Sequence, residues 1–243
     1  WNLESLRSGA RRLGATLTSE QLDKFELYFT ELNLWNQRTN LTRIVARELV
    51  ETHHFLDSLT ASIGLPEGPF SNLRFLDVGS GAGFPGIPLQ ILYRETNLTL
   101  LEATNKKARF LEHVVQMLDL ENTAVVCARA EDLGRDTRHR EAYDVVLARA
   151  VATLTTLVEL TLPFAIVGGR VIAHKRGNVG KEIGDSSFAV RELGGRMNQT
   201  RPVRLPELND NDRLLVIIDK IAPTGLAYPR RSGIPRKRPL KAA

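Results

Sequence analysis

A mostly parallel, doubly wound α/β sheet preceded by a helical extension is the fold class this sequence predicts, and three observations predict it. Short apolar runs recur from residue 74 onward at helix-length separations: Phe75–Val78, Leu98–Leu101, Thr123–Cys127, Tyr143–Ala148 and Arg170–Ala173. They are continuously apolar rather than alternating, the pattern of strands buried on both faces by the helices between them. A glycine-rich turn follows the first run, and the chain before residue 69 carries helical periodicity.

In the extension, Thr18 and Gln21 have the spacing of a capping box, and Leu22, Phe25, Phe29 and Leu32 recur at helical intervals, which predicts a helix to about Gln37. A second helix is expected over Ala46–Ile63, ending at the Gly64, Pro66, Gly68 and Pro69 cluster. Asn105–Leu118 places Phe110, Leu111, Val114, Val115 and Leu118 on one helical face. Leu214–Ile218 follows a Pro- and Asn-rich stretch with no clear helix, so antiparallel pairing is expected there. From Ala222 onward the chain has four prolines and no acidic residue, and no regular element is expected in it. The expected division is a helical extension at 1–68, a cofactor-binding domain at 69–221 and a basic tail at 222–243.

The formal net charge of +5 and pI near 9.5 suit a polyanionic partner such as nucleic acid. Cys127 is the sole cysteine, which excludes an internal disulfide and a cysteine-rich zinc site, and it is read as a packing residue. No run approaches the roughly 18 apolar residues of a membrane span, and Trp1–Arg12 lacks the apolar core of a signal peptide, so a cytoplasmic location is expected. No metal is expected: the adjacent His53 and His54 would point differently from a helix, and His174 stands alone.

Chemistry concentrates in Phe75-Leu76-Asp77-Val78-Gly79-Ser80-Gly81-Ala82-Gly83-Phe84-Pro85-Gly86, a strand running into a glycine turn before a helix. Such glycines permit positive φ and close approach of a ligand to backbone N–H groups. Gly81, Gly83 and Gly86 fit a dinucleotide GxGxxG pattern. Gly79, Gly81 and Gly83, preceded by Asp77, fit the GxGxG of methyltransferases and start the turn directly after the strand, which favours that alignment. Glu102, at the end of the next strand, can accept both hydroxyls of a ribose, in a nicotinamide dinucleotide as well as in an adenosyl cofactor. Ala130 and Glu131 follow the third strand and Arg149 the fourth, both at carboxyl ends of strands, where open sheets bind ligands. A guanidinium there can anchor a carboxylate or phosphate. Neither an Asn/Asp-Pro-Pro-Tyr motif for exocyclic amines nor a convincing nucleophilic cysteine for pyrimidine carbons is present.

With these residues in place, the sequence resembles the bacterial RsmG/GidB family over nearly its whole length. The resemblance rests on Trp35-Asn36 through Asn40-Leu41-Thr42, His54-Phe55-Leu56-Asp57-Ser58-Leu59 and the turn extended to Gly86-Ile87-Pro88. It continues in Lys106–Leu111, Arg129-Ala130-Glu131, Ala148-Arg149-Ala150 and the tail motifs Tyr228-Pro229-Arg230-Arg231, Gly233-Ile234-Pro235 and Lys237-Arg238-Pro239-Leu240. It implies a class I, Rossmann-like methyltransferase fold, S-adenosylmethionine as methyl donor, and transfer to guanine N7 in the 530 loop of 16S ribosomal RNA. The partner implied is that RNA or a small-subunit assembly particle, with the enzyme a monomer and no membrane involved. Gly79 and Phe84 would line the turn, Glu102, Ala103 and Thr104 the ribose, Ala130 and Glu131 the adenine, and Arg149 the mouth. One departure is Glu102-Ala103-Thr104, where the family commonly shows Asp-Ser.

Guanine N7 carries an in-plane lone pair and no proton, so no general base is required, and rate is expected from alignment. Arg149 or Lys175 is expected to steady the RNA through a phosphate or O6. Arg230, Arg231, Arg236, Lys237 and Arg238 could track phosphates while Tyr228 stacks on a base. Other readings stay open at this point: methylation of another RNA site or a small molecule, or a nicotinamide-dependent oxidoreductase.

Overall fold

The computed structural model describes residues 3–242; Trp1, Asn2 and Ala243, at the ends of the expected extension and tail, lie outside the described residues. Helix α1 (Glu4–Arg12), which the sequence pattern did not reveal, buries Leu6, Gly9 and Ala10. Helix α2 (Ser19–Thr39) starts at the complete Thr18/Gln21 capping box and runs just beyond the expected end. The segment expected as one helix over 46–63 is a continuous rod wound in several ways. Helix α3 (Arg47–Val50) passes into a π-helical stretch at Glu51–Leu56, then α4 (Asp57–Leu59), then a 3-10 stretch at Thr60–Gly64. Hydroxyls compete with the helical ladder here: Thr52 donates to Glu48 O and Ser58 to His54 O, four residues back in each case.

The remaining elements alternate: β1 (Arg74–Val78), α5 (Gly86–Leu92), β2 (Asn97–Glu102), α6 (Asn105–Met117), β3 (Thr123–Cys127), α7 (Ala130–Leu133), β4 (Tyr143–Arg149), α8 (Leu154–Thr161), β5 (Ala165–Arg176), α9 (Gly180–Glu192), β6 (Gly195–Pro202), β7 (Arg213–Lys220) and α10 (Ile234–Lys237). They form a seven-stranded sheet of order β3-β2-β1-β4-β5-β7-β6. Strands β1 to β5 pair in parallel, and β7 runs antiparallel between β5 and β6 as its missing crossover helix suggested. Strand β6 escaped the sequence reading because it is a polar edge strand with little buried surface. Cys127 is exposed rather than packed, since it ends the opposite edge strand β3. The tail does carry a regular element, the single turn α10, and it lies against the domain.

Strand periodicity decides which face each side chain takes. Phe75, Val145, Leu147, Ile172, Leu215 and Ile217 face one core, shared with α2, the 47–64 rod, α5 and α6; Leu76, Val78, Val146, Ala148, Val171, Ala173, Val216 and Ile218 face the other, shared with α8 and α9. By the same alternation Asp77, Arg149, His174 and Arg213 face the helical extension, and Lys175 faces away from it. The extension is keyed to the glycine turn by an aromatic cluster: Phe55 lies 5.0 Å from Phe25 and 5.3 Å from Tyr28, and Tyr28 lies 5.4 Å from Phe84. Phe55 is fully buried at the centre of this cluster. Phe55→Ala should therefore destabilise the protein by about 3–5 kcal/mol in urea unfolding, whereas a surface change of equal size should cost under about 0.5 kcal/mol.

Candidate active site

Strand order reverses between β1 and β4, and the carboxyl ends of those strands frame the cleft where open sheets bind ligands. At β1 the turn is shaped by positive φ at Gly79 (+71°), Gly81 (+60°) and Gly83 (+94°). A Cβ at Gly83 would stand 2.5 Å from Ile87 Cδ1 in α5 and 2.6 Å from the Tyr28 hydroxyl, which donates to Ala82 O, so α5 and the helical extension together require glycine there. Gly79 N–H donates to Leu101 O at 2.8 Å, binding the turn to β2.

Asp77 lies under the turn, wholly buried, with Oδ2 accepting the Gly86 N–H at 2.9 Å and Oδ1 without a partner. Burial foremost, with Glu102 adding to it, pushes its pKa up to about 7 despite that hydrogen bond and the Arg149 charge. Glu102, buried at the end of β2, accepts Gly81 N–H at 3.0 Å and Thr104 N–H at 2.8 Å on separate oxygens. Each oxygen keeps further acceptor capacity beyond that one hydrogen bond. Ala103 and Thr104 continue this loop, and Ala130 and Glu131 open α7 beside it, where Ala128 N–H donates to Glu102 O.

Arg149, at the end of β4, is held from the extension. Its Nη1 donates to Asp57 Oδ2 at 2.9 Å and to His53 O at 3.3 Å, and its guanidinium lies 5.0 Å from the Phe84 ring centroid. Asp57 Oδ1 pairs with Arg213 Nη1 at 2.6 Å, so one buried carboxylate joins the rod to β4 and β7. Burial raises the Asp57 pKa, but the surrounding charges, Arg149 foremost, outweigh it and hold the carboxyl below the usual range. Arg149 Nη2 donates to His54 Nδ1 at 3.4 Å, so the proton sits on Nε2 and goes to Thr42 Oγ1 at 2.8 Å. The His54 ring stacks on Phe84 at 4.5 Å. The next residue, Ala150, takes a left-handed φ of +55°, a strained conformation for a side-chain-bearing residue at the mouth of the cleft.

A cavity of about 410 Å³ opens beside Arg149, its lining including the apolar Ile44, Leu157, Val203 and Leu214 and the polar His54 and Arg213. His53 also lines it, although the two adjacent rings have different partners: His53 Nδ1 lies 2.9 Å from Thr52 Oγ1, whereas His54 bonds Thr42 and stacks on Phe84. Lys175 lies at its edge with Nζ donating to Glu182 at 2.6 Å and Ala152 O at 2.9 Å. Of the tail residues, Arg231, Arg236, Lys237 and Arg238 are exposed, whereas Tyr228 is half-buried with its hydroxyl on Glu192 and Arg230 is paired with Glu159.

Residues 21–215 match the family described as GidB, rRNA small subunit methyltransferase G. The chain belongs to this family. It is 47% identical to the ribosomal RNA small subunit methyltransferase G of Roseiflexus castenholzii, over 98% of this chain and all of that one. The Dehalococcoides mccartyi protein of the same name is 46% identical over 98% of this chain and all of its own, and that of Bacillus thuringiensis 41% over 99% of each. Solved structures similar in fold include an Aquifex aeolicus SAM-dependent methyltransferase (TM-score 0.52, 14% identity, 72% of this chain and 94% of that one) and the Methanococcus jannaschii fibrillarin pre-rRNA processing protein (TM-score 0.53, 13% identity, 69% and 74%). The fold is thus the class I, Rossmann-like methyltransferase fold. Among the described residues no group of histidine, cysteine and carboxylate side chains could hold a metal, and no helix is long and apolar enough to cross a membrane.

Sequence reading of this methyltransferase missed Asp57, Arg213 and Glu182 as partners of the expected site residues. The parity of β4, β5 and β7 was the usable signal, since it puts Arg149, His174 and Arg213 on one face and Lys175 on the other. His174 is buried there, donating through Nε2 to Asp57 O at 3.1 Å, with Nδ1 unpartnered. Burial lowers the His54 pKa to about 3, with the Arg149 charge assisting, and that of His174 to about 4. The unfolded chain, with histidines near 6.5, then binds more protons than the native state between those values. Histidine-linked stability is complete above about pH 6.5 and falls as pH drops, by ~1.4 kcal/mol per pH unit for each ring. Asp77, with its raised pKa, acts in the opposite sense: its contribution is present at low pH and lost as pH rises through about 7. His174→Gln should make the fall in urea stability between pH 6.5 and 4 shallower by ~1 kcal/mol per pH unit. An unchanged slope would show that the native imidazole takes up its proton freely.

Proposed function

We propose that the protein transfers a methyl group from S-adenosylmethionine to N7 of a guanine in the 530 loop of 16S ribosomal RNA. The observation that carries this reading is the cavity beside Arg149, mostly apolar in surface, large enough for a nucleobase and linked to the glycine turn through Arg149, whose guanidinium lies over Phe84. The carboxylate among its lining residues, Asp57, has both oxygens engaged by arginines and sits below the usual pKa range, which makes it a poor proton acceptor. His54 and His174 are neutral at pH 7 but enclosed in hydrogen bonds or apolar surroundings. Such a site suits an acceptor atom that needs no deprotonation, and guanine N7 is one.

S-adenosylmethionine is the cofactor, and the residues fit it. The unpartnered, buried Asp77 Oδ1 is an acceptor of the kind an α-ammonium group requires, and the positive-φ turn Gly79–Gly83 lets a ligand approach the backbone. Gly79, Gly81 and Phe84 would line its methionine end, Glu102 with Ala103 and Thr104 the ribose, Ala130 and Glu131 the adenine, and Arg149 the mouth. Bound there, it would supply an electrophilic sulfonium methyl group to the acceptor nitrogen. The protein's part is alignment and exclusion of water, which can contribute on the order of 7–11 kcal/mol. Arg149, fixed by Asp57 and laid over Phe84, sets the boundary between the cofactor turn and the base cavity. The guanine must leave its stack to enter, and the exposed Arg231, Arg236, Lys237 and Arg238 can meet RNA phosphates.

Incubation with labelled S-adenosylmethionine and either 16S ribosomal RNA or partly assembled small subunits should place label on guanine N7 within the 530 loop. Label on another base, or on a small molecule alone, would overturn the proposed acceptor. Arg149→Gln should lower the transfer rate by about 10²-fold, read in single-turnover assays with cofactor held saturating. A loss that saturating cofactor restores would make Arg149 a cofactor ligand instead.

A further inference from the structure

The C-terminal segment is anchored at one end of the cleft. Arg230 donates its backbone N–H and Nε to Glu159 Oε1, both at 2.9 Å, and Nη2 to Oε2 at 2.6 Å. Glu159 is wholly buried in α8, so this arginine is what compensates its charge. Three residues on, Gly233 adopts φ +83° and presents its N–H to Glu131 Oε1 at 2.8 Å. Between and beyond these points Pro229 packs on Gly134, where an added Cβ would lie 3.0 Å from Pro229 Cγ, and Thr156 donates to Pro235 O at 3.2 Å. Arg140 holds the approach to the segment through the carbonyls of Tyr228, Thr224 and Gly225. Glu131 itself lies in the first turn of α7, a helix of four residues, and among the described residues the Gly233 N–H is the hydrogen-bond donor to its side chain.

We propose that residues 228–235 are a positioning element of the cofactor site, in which Arg230, locked on Glu159, sets Gly233 so that its N–H orients the Glu131 carboxylate at the adenine end of the cleft. Glu131 Oε2, with no protein donor among the described residues, then accepts from the adenine's exocyclic amine. The proposal rests on the cofactor placement given above, and it separates the tail's two charge groups: Arg230 serves the cofactor, and the exposed arginines and lysine are left for RNA. A segment bearing a basic motif thus acts on the neutral end of a small molecule, through a backbone N–H.

The test uses the full chain, wild type and three variants: Arg230→Met, Arg230→Lys and Gly233→Ala. The last is mild, because the added methyl would meet nothing within 4 Å and only the left-handed φ is strained. Calorimetric titration with S-adenosylmethionine should show Kd raised about tenfold in Arg230→Met and Gly233→Ala, with partial recovery in Arg230→Lys. Binding of a 16S ribosomal RNA fragment should stay within about twofold of wild type. The rise in thermal midpoint on adding cofactor should shrink in the same variants; a merely structural role would lower the midpoint equally with and without cofactor and leave Kd unchanged. Wild-type cofactor affinity in folded Gly233→Ala overturns the proposal, as does loss of RNA affinity alone, which would make the segment an RNA arm. If Arg230→Met fails to fold, Gly233→Ala decides. Wild-type protein that binds cofactor but methylates no ribosomal RNA would refute the proposed acceptor while leaving this inference standing, and wild-type protein that binds no cofactor would refute both.

Discussion

One buried carboxylate, Asp57, stands between Arg149 on β4 and Arg213 on β7, and the architecture of the site depends on it. Its rod belongs to the helical extension, while both arginines belong to the sheet, so the ion cluster couples two parts of the chain that share no backbone hydrogen-bond ladder. Removing one partner of such a cluster typically costs 3–5 kcal/mol, because the charge left behind has lost access to water. Here the cost would fall on geometry as well as stability, since Arg149 borders the glycine turn and the cavity together. Arg213 passes the constraint on to Asp210 at 2.8 Å, tying the β6–β7 connection to the same point.

The glycine turn is constrained from the same side. Tyr28 and Phe55 from the extension close on Ala82, Gly83 and Phe84, so the extension forms one wall of the glycine turn. Asp77 under the turn and Ala150 at the end of β4 are both energetically unfavourable choices in isolation, one a buried carboxyl with an unpartnered oxygen, the other a side-chain-bearing residue at positive φ. Features of this kind persist where the surroundings over-determine them, and they cluster at functional sites. The π-helical stretch 51–56 lies in the same region, and His53 and His54 within it both line the cavity.

The tail closes the opposite end of the cleft. Its prolines and lack of acidic residues rule out a long helix or strand, yet it is ordered by partners supplied from elsewhere: Glu159, Glu131, Glu192 and the backbone-seeking Arg140. Composition describes what a segment cannot do alone and is silent about acidic partners 36 to 102 positions away.

By itself the sequence determined the doubly wound core, the capping box that starts α2, the glycine turn at Gly79–Gly83, the place of Glu102 at the end of β2 and the antiparallel sense of β7. Each of these is local: hydrophobic periodicity, turn chemistry and helix capping act within a few residues, so the pattern is written in consecutive letters. The tertiary structure alone decided that Arg149 meets Asp57 rather than facing solvent, that Lys175 turns to Glu182, that Cys127 is exposed, and that Arg230 lies on a buried glutamate. It also decided the edge strand β6, whose polar residues carry little periodic signal. Those outcomes depend on which elements become neighbours across the sheet and on desolvation once they do, and burial is a property of the assembled fold, with no counterpart in the order of residues along the chain.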